Sequence, residues 1–256
     1  MSDSPLPGSG LQDRGIERVG DTVRRPAGPW TGSVHHLLRH VREQGFDLAP
    51  EPIGVDSEGR EILTWIDGRD QGWPFIPEIE STDGAEHLGA LATRLRSALA
   101  EYPCPPNATW QFASGATTAG QAMQHGDLGP WNLLWGHDGQ VTGVLDWDFA
   151  QPGDPWYDTG HLAWFTVPLM DDERARARGF AAPPDRQARL DAFAAGAGLT
   201  RARVLEIALG AQAEYERRLI TCGQNGGPWA LYYEKGLHEN AASDRTWTGL
   251  RRREFT

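Results

Sequence analysis

Apolar positions along the chain recur with two different periods, and the switch between them divides the sequence into elements. In PWTGSVHHLLRHVREQGF, Val34, Leu37, Leu38 and Val41 fall at helical spacing, with Thr31 or Ser33 as the candidate cap. Leu88, Leu91, Leu95 and Leu99 mark a second amphipathic helix. Around the first helix the pattern is shorter. Ile16, Val19 and Val23 flank Gly20-Asp21, which predicts one or two short strands at a tight turn. APEPIGVDSEGREILTWIDG predicts two strands joined by Asp56-Ser57-Glu58-Gly59. Further on, NLLWGHDGQVTGVLDW places two apolar runs on either side of Asp138-Gly139, a strong hairpin signal. From about residue 157 the periodicity is helical, most clearly in RARVLEIALGAQAEYERRL.

These elements predict an α+β chain with a small β-rich segment over 1–66 and a larger, mainly helical one over 67–256. The stretch near 66–72 is the expected linker, and the Ser-, Pro- and Gly-rich residues 1–15 are expected to be mobile.

Composition narrows the function. At 256 residues the chain can bury a sizeable core. No run approaches the ~18 consecutive apolar residues of a membrane helix. The first residues lack a basic start and an apolar core, so no leader is expected and the cytoplasm is the expected compartment. Cys104 and Cys222 are the only cysteines, too few for a disulfide framework or a metal cluster. The net charge of −11, from 35 acidic against 24 basic residues, argues against nucleic acid as a partner. It mildly favours a cationic small molecule through long-range steering.

The chemistry-bearing residues cluster around the predicted hairpin. HGDLGPWNLLW sets His125, Asp127 and Asn132 just before its first strand, and GVLDWDFA sets Asp146 and Asp148 just after its second. Phosphoryl transfer needs an acceptor hydroxyl held by a carboxylate and hard cations on the nucleotide phosphates. Short carboxylate and amide side chains suit Mg²⁺. Protein kinases meet the need with His-x-Asp, an Asn five residues after the Asp, a strand and then a further Asp. Asn132 and Asp146, at the two ends of a hairpin, come side by side, with Asp127 on the preceding loop.

With these residues the sequence resembles the aminoglycoside phosphotransferase family, close to choline and homoserine kinases. HGDLGPWNLLW and GVLDWDFAQPGDPWYD carry the resemblance over residues 125–158. It implies a protein-kinase-like, two-lobed fold with a reduced N-terminal β lobe and a larger helical C-terminal lobe. It implies Asp127 as catalytic base and Asn132 and Asp146 as Mg²⁺ ligands, with Asp148 assisting at the metal. His125 and Asp158 would be structural. ATP or GTP would be the phosphate donor, with Thr64 and Ile66 in the hinge stretch LTWIDG among its contacts. The acceptor would be a hydroxyl on a small molecule, an antibiotic among the candidates, and the protein a monomer or weak dimer. GDTVRRPAGPWTGSVHHLLRHVREQGFDLAPEPIGVDSEGREIL further resembles a compact bacterial subgroup of trifolitoxin immunity-type proteins.

The sequence departs from that pattern in the small lobe. Arg24 of TVRRP stands where the family carries a Lys, and is expected to contact phosphate. The helix that should supply a Glu partner has none in its first turns, and Glu43 comes late. A second reading therefore stays open, a pseudokinase-like immunity or binding protein that sequesters its ligand without turnover. A kinase acting on a peptide hydroxyl is a third. Trp229, Tyr232, Tyr233 and Trp247, with Asp171, Asp172, Glu214 and Glu234, could line an amine-binding pocket or be core and solvated face.

Overall fold

The computed structural model describes residues 15–224 and 228–255. The expected mobility of residues 1–15 therefore falls, Gly15 apart, outside the described residues. The described residues form two compact units.

The first unit comprises residues 15–70, 97–127 and 131–153. Strands β1 (Glu17–Val19) and β2 (Thr22–Pro26) form a hairpin about Gly20, whose φ of +60° is the left-handed conformation that a tight turn requires. Helix α1 (Thr31–Glu43) follows, then β3 (Pro52–Val55) and β4 (Arg60–Thr64). The four strands make one antiparallel sheet in the order β1-β2-β4-β3. Val34, Leu37, Leu38 and Val41 form the buried stripe of α1, as the period predicts. Its N-cap is Trp30, without a side-chain cap. Thr31 Oγ1 instead accepts a bond from the Gly28 amide, tightening the turn before the helix (2.9 Å).

The same unit contains β5 (Ala122–Gln124), paired antiparallel with β8 (Gln151–Gly153), and the hairpin β6 (Leu133–Trp135) and β7 (Val141–Val144). In that hairpin Leu133 pairs with Val144 and Leu134 with Gly143 before the register shifts at Trp135. Trp135 and Trp147 are fully buried, as are Leu133 and Val144 of the hairpin.

The second unit comprises residues 71–96, 128–130 and 154–255, of which 225–227 lie outside the description. It is helical: α2 (Pro77–Glu80), α3 (Thr82–Ala100, whose last turn joins the first unit), α4 (Tyr157–Thr166), α5 (Asp172–Arg178), α6 (Arg186–Ala197), α7 (Arg201–Gly223), α8 (Pro228–Glu234) and α9 (Leu237–Phe255). Every residue of α4 is buried, so it is enclosed all round rather than on one stripe, with Asp158, Thr159, His161 and Thr166 among the buried polar groups. Helix α7 packs against α4, α6, α8 and α9. Cys104 and Cys222 are free thiols, and burial pushes both up from their ordinary range. Among the described residues no helix is long and apolar enough to cross a membrane.

Candidate active site

The site begins where β5 ends. Gly126 has φ +87°, and a Cβ there would stand 2.1 Å from the Phe149 carbonyl oxygen, so only glycine lets the two backbone segments pass. On its N-terminal side, fully buried His125 donates from Nε2 to the Leu145 carbonyl (2.9 Å). Its Nδ1 accepts from the Asp127 amide (3.3 Å). One ring nitrogen donating and the other accepting defines the neutral tautomer, which suits a structural tie.

Asp127 is held through its carboxylate. Its Oδ2 accepts from the Trp131 indole (3.0 Å) and from Asn132 Nδ2 (2.9 Å). The same Asn132 amide nitrogen donates to the Asp127 carbonyl (2.8 Å). With its nitrogen turned to Asp127, the Asn132 amide presents its oxygen in another direction. Asn132 closes the short 3₁₀ turn Pro130–Asn132 and is itself buried.

Leu145 is the node that gathers the group. Its carbonyl holds His125 and its amide donates to the Asn132 carbonyl (2.8 Å). Asp146 issues from that node with φ 57° and ψ 68°, the single positive-φ position outside glycine among the described residues. A left-handed non-glycine residue costs about 1–3 kcal/mol and persists where its surroundings fix it. Here the turn redirects the chain into the 3₁₀ segment Trp147–Phe149, which carries Asp148.

A cation faces both acids. Arg25 donates from Nη1 and Nη2 to the two oxygens of Asp148 (3.1 and 2.7 Å), and its Nη1 lies 3.6 Å from Asp146 Oδ1. Its Nε lies 2.5 Å from Glu61 Oε1, and Glu61 Oε2 is 2.9 Å from His35 Nε2 of α1. Burial alone would lower the Arg25 guanidinium; the carboxylates of Asp148, Glu61 and Asp146 outweigh it and hold the group above its ordinary value.

The structure thus brings Asp127 and Asn132 into contact and puts Asp146 and Asp148 on one guanidinium. Arg24, the expected phosphate contact, sits instead 3.5 Å from Asp56, on a turn carboxylate that the Arg60 amide holds below its ordinary range. Successive strand residues face opposite sides of a sheet, so a shift of one position exchanges every partner. Thr64 is bonded to Glu51, accepting from its amide (2.9 Å) and donating to its carbonyl (3.0 Å). Ile66 lies over Gly143, where a Cβ would come within 2.9 Å of its side chain.

Sequence reasoning missed Arg25, Glu61 and Trp131. Strand parity carried a signal for the first two: Arg25 shares a face with Val23, Glu61 shares one with Leu63, and the two are direct cross-strand partners. Nothing local marks Trp131. The second unit's candidates are engaged structurally. Asp171 caps α5, Asp172 pairs with Arg186, and Glu214 pairs with Arg217 and Arg218. Trp229 is buried between Tyr215 and Tyr232, and Tyr233 stacks on His238.

An antiparallel sheet with one helix inserted after its second strand, then a His-Gly-Asp loop, a short hairpin and a helical unit, makes up the protein-kinase-like class. Residues 105–193 match the family model described as the phosphotransferase enzyme family. The trifolitoxin immunity protein of Rhizobium leguminosarum bv. trifolii is 31% identical over 191 residues, spanning 73% of this chain and 71% of that protein. The chain belongs to this phosphotransferase family, in the group that includes that immunity protein. Among solved structures, a choline/ethanolamine kinase family protein from Mesorhizobium loti has the same fold, with a TM-score of 0.53 and 15% identity over 96% of this chain and 92% of that one. A thermostable mutant of an aminoglycoside phosphotransferase, solved as a ternary complex with AMP-PNP and hygromycin B, has a TM-score of 0.50 and 14% identity over 92% and 88%.

Proposed function

We propose that the chain is a Mg²⁺-dependent kinase that moves the γ-phosphoryl group of ATP or GTP to a hydroxyl of a small molecule. The observation that carries this reading is the Asp127 carboxylate, fixed on Oδ2 by Trp131 and Asn132 and tied through Leu145 to the residue that presents Asp146. The acceptor oxygen forms a bond to the γ-phosphorus while the bond to the β–γ bridging oxygen breaks. Asp127 takes the hydroxyl proton, and the nucleoside diphosphate leaves.

The donor set suits magnesium. Asn132, Asp146 and Asp148 offer hard oxygens, and Arg25 touching both acids indicates that a single cation can serve the two carboxylates. When bound, the metal supplies neutralisation of phosphate charge. Arg25, rather than Arg24, is the guanidinium placed to share that task. Thr64 and Ile66 remain proposed nucleotide contacts, and the helical segment after residue 66 is the proposed acceptor-binding lobe. The solved relative with AMP-PNP and hygromycin B supports a nucleotide donor and an antibiotic among the acceptors to test. A cationic acceptor fits the acidic net charge.

The relative named as an immunity protein favours a second reading, in which the chain sequesters a ligand without turnover. One experiment separates the two. The protein is incubated with Mg-ATP or Mg-GTP and a panel of hydroxylated antibiotics and peptides, and products are followed by mass spectrometry. A gain of about 80 Da on one acceptor, with nucleotide consumed, is the expected result. Tight acceptor binding with no mass change would sink the kinase reading.

A further inference from the structure

We infer that Glu61 and His35 are positioning residues that aim Arg25 at the acid pair, so that helix α1 is coupled to the phosphate-binding end of the site through His35, Glu61 and Arg25. This rests on the phosphotransferase reading above. The three side chains come from three elements, β2, β4 and α1, and all are buried, at 8%, 2% and 5% exposure for Arg25, Glu61 and His35.

The argument starts from the shape of a guanidinium. It is planar and rigid, with its five N–H groups in fixed directions. Glu61 Oε1 stands 2.5 Å from Nε as an ion-pair contact beside the plane, and the two Nη groups reach along the opposite edge. That edge is where Asp148 accepts both of them and where Asp146 lies. Glu61 has a second oxygen, and His35 Nε2 is bonded to it. Both oxygens of Glu61 thus have partners, and its carboxylate has no freedom to swing. The link from α1 to Asp148 is a run of contacts in which each group fixes the direction of the next.

A structural explanation alone serves less well. A buried ion pair adds little to stability over apolar side chains of the same volume, because desolvation offsets the attraction. The neighbouring faces of β2 and β4 carry Val23 and Leu63, so apolar residues suit this face. Glu61, Asp146 and Asp148 all face one guanidinium, an acidic setting that suits a metal-and-phosphate site. Finally, the acid stands on a strand and the helix contributes an imidazole. That resolves how a helix with no carboxylate in its first turns can still be tied to the site.

The test uses the full chain and Mg-AMP-PNP, a nucleotide that is not turned over. Wild type should bind it, and hydrogen exchange should show the α1 amides becoming protected on binding. Glu61→Gln and His35→Leu should each weaken binding about tenfold, as expected for losing one charged contact of a buried network, and abolish that protection. His35→Gln, which keeps an N–H where Nε2 stands, should stay within about twofold of wild type. Losses from Glu61→Gln and Arg25→Lys should not add, since one acts through the other. If Glu61→Gln fails to fold, Arg25→Met is compared with Arg25→Met/Glu61→Gln: equal affinity supports the coupling, and a further loss overturns it. Folded Glu61→Gln and His35→Leu proteins that bind and protect α1 like wild type would overturn this inference alone. A wild type that binds neither Mg-ATP nor Mg-GTP would overturn the kinase reading and this inference together.

Discussion

The indole N–H of Trp131 donates to Oδ2 of Asp127 across 3.0 Å, from a residue next in sequence to the Asn132 that donates to the same oxygen. A large aromatic side chain is used here as a hydrogen-bond donor that fixes the orientation of a carboxylate. Trp131→Phe keeps the ring and removes the donor. It should lower turnover about tenfold while leaving the melting temperature and nucleotide affinity nearly unchanged, because only one charged hydrogen bond is lost. Steady-state kinetics with thermal unfolding checks this, and an unchanged kcat would show that Asn132 suffices.

Asp127 and Asp146 should separate cleanly. Asp127→Asn keeps the shape and loses the base, so turnover should fall by about 10²–10⁴ with Mg-nucleotide binding intact. Asp146→Ala should weaken binding that depends on magnesium and spare whatever binding occurs without it. Calorimetry at matched metal-free and metal-loaded conditions distinguishes the two variants, and equal behaviour would refute the division of roles.

Adjacent arginines should behave differently. Arg24 is half-buried and meets one turn carboxylate, whereas Arg25 is buried among three acids. Arg24→Gln should change nucleotide affinity by less than about twofold, since its partner is the turn carboxylate of Asp56 rather than the acids around Arg25. Arg25→Gln should reduce it strongly and lower the melting temperature, since it strands the buried Glu61. Reversal of that order would restore Arg24 as the phosphate contact.

Gly126→Ala should be both destabilising and inactivating. The new methyl would collide with the Phe149 carbonyl at a φ that side chains avoid. A cost of about 2–4 kcal/mol is expected from the clash and the backbone strain together. Urea unfolding measures it, and a near-wild-type midpoint would mean that the β5 loop can yield.

Stability should fall on mild acidification through His40. Burial holds this imidazole below its ordinary value, next to the Tyr102 ring. As pH drops through about 6.5 the unfolded chain takes up the proton first, so the unfolded state gains and folding stability declines towards the lower folded value. His40→Phe should flatten this decline when urea midpoints at about pH 7.5 and 5.5 are compared. The same slope in wild type and variant would assign it to another group.

Much of the fold could be read locally. The stripe of Val34, Leu37, Leu38 and Val41, the turn at Asp56-Ser57-Glu58-Gly59 and the hairpin at Asp138-Gly139 are formed by neighbours in sequence, and each lies where its period places it. The motif residues Asp127 and Asn132 were legible for the same reason, being five positions apart on one loop. Arg25 needed the parity of a strand, a signal that a single misplaced residue inverts. The cap position at α1 falls on Trp30, which makes no side-chain cap, and the Thr31 hydroxyl accepts from the preceding Gly28 amide.

By itself, then, the sequence determined the elements, the order in which they follow one another and the identity of the acids around the hairpin, since helix, strand and turn are set by contacts a few residues long. Only the tertiary structure decided which groups meet across long separations. The contacts of Arg25 with Asp148, Glu61 with His35, and Leu145 with both His125 and Asn132 depend on how sheet, helix and hairpin pack. No periodicity encodes such pairings, because burial brings together charges that the chain itself keeps apart.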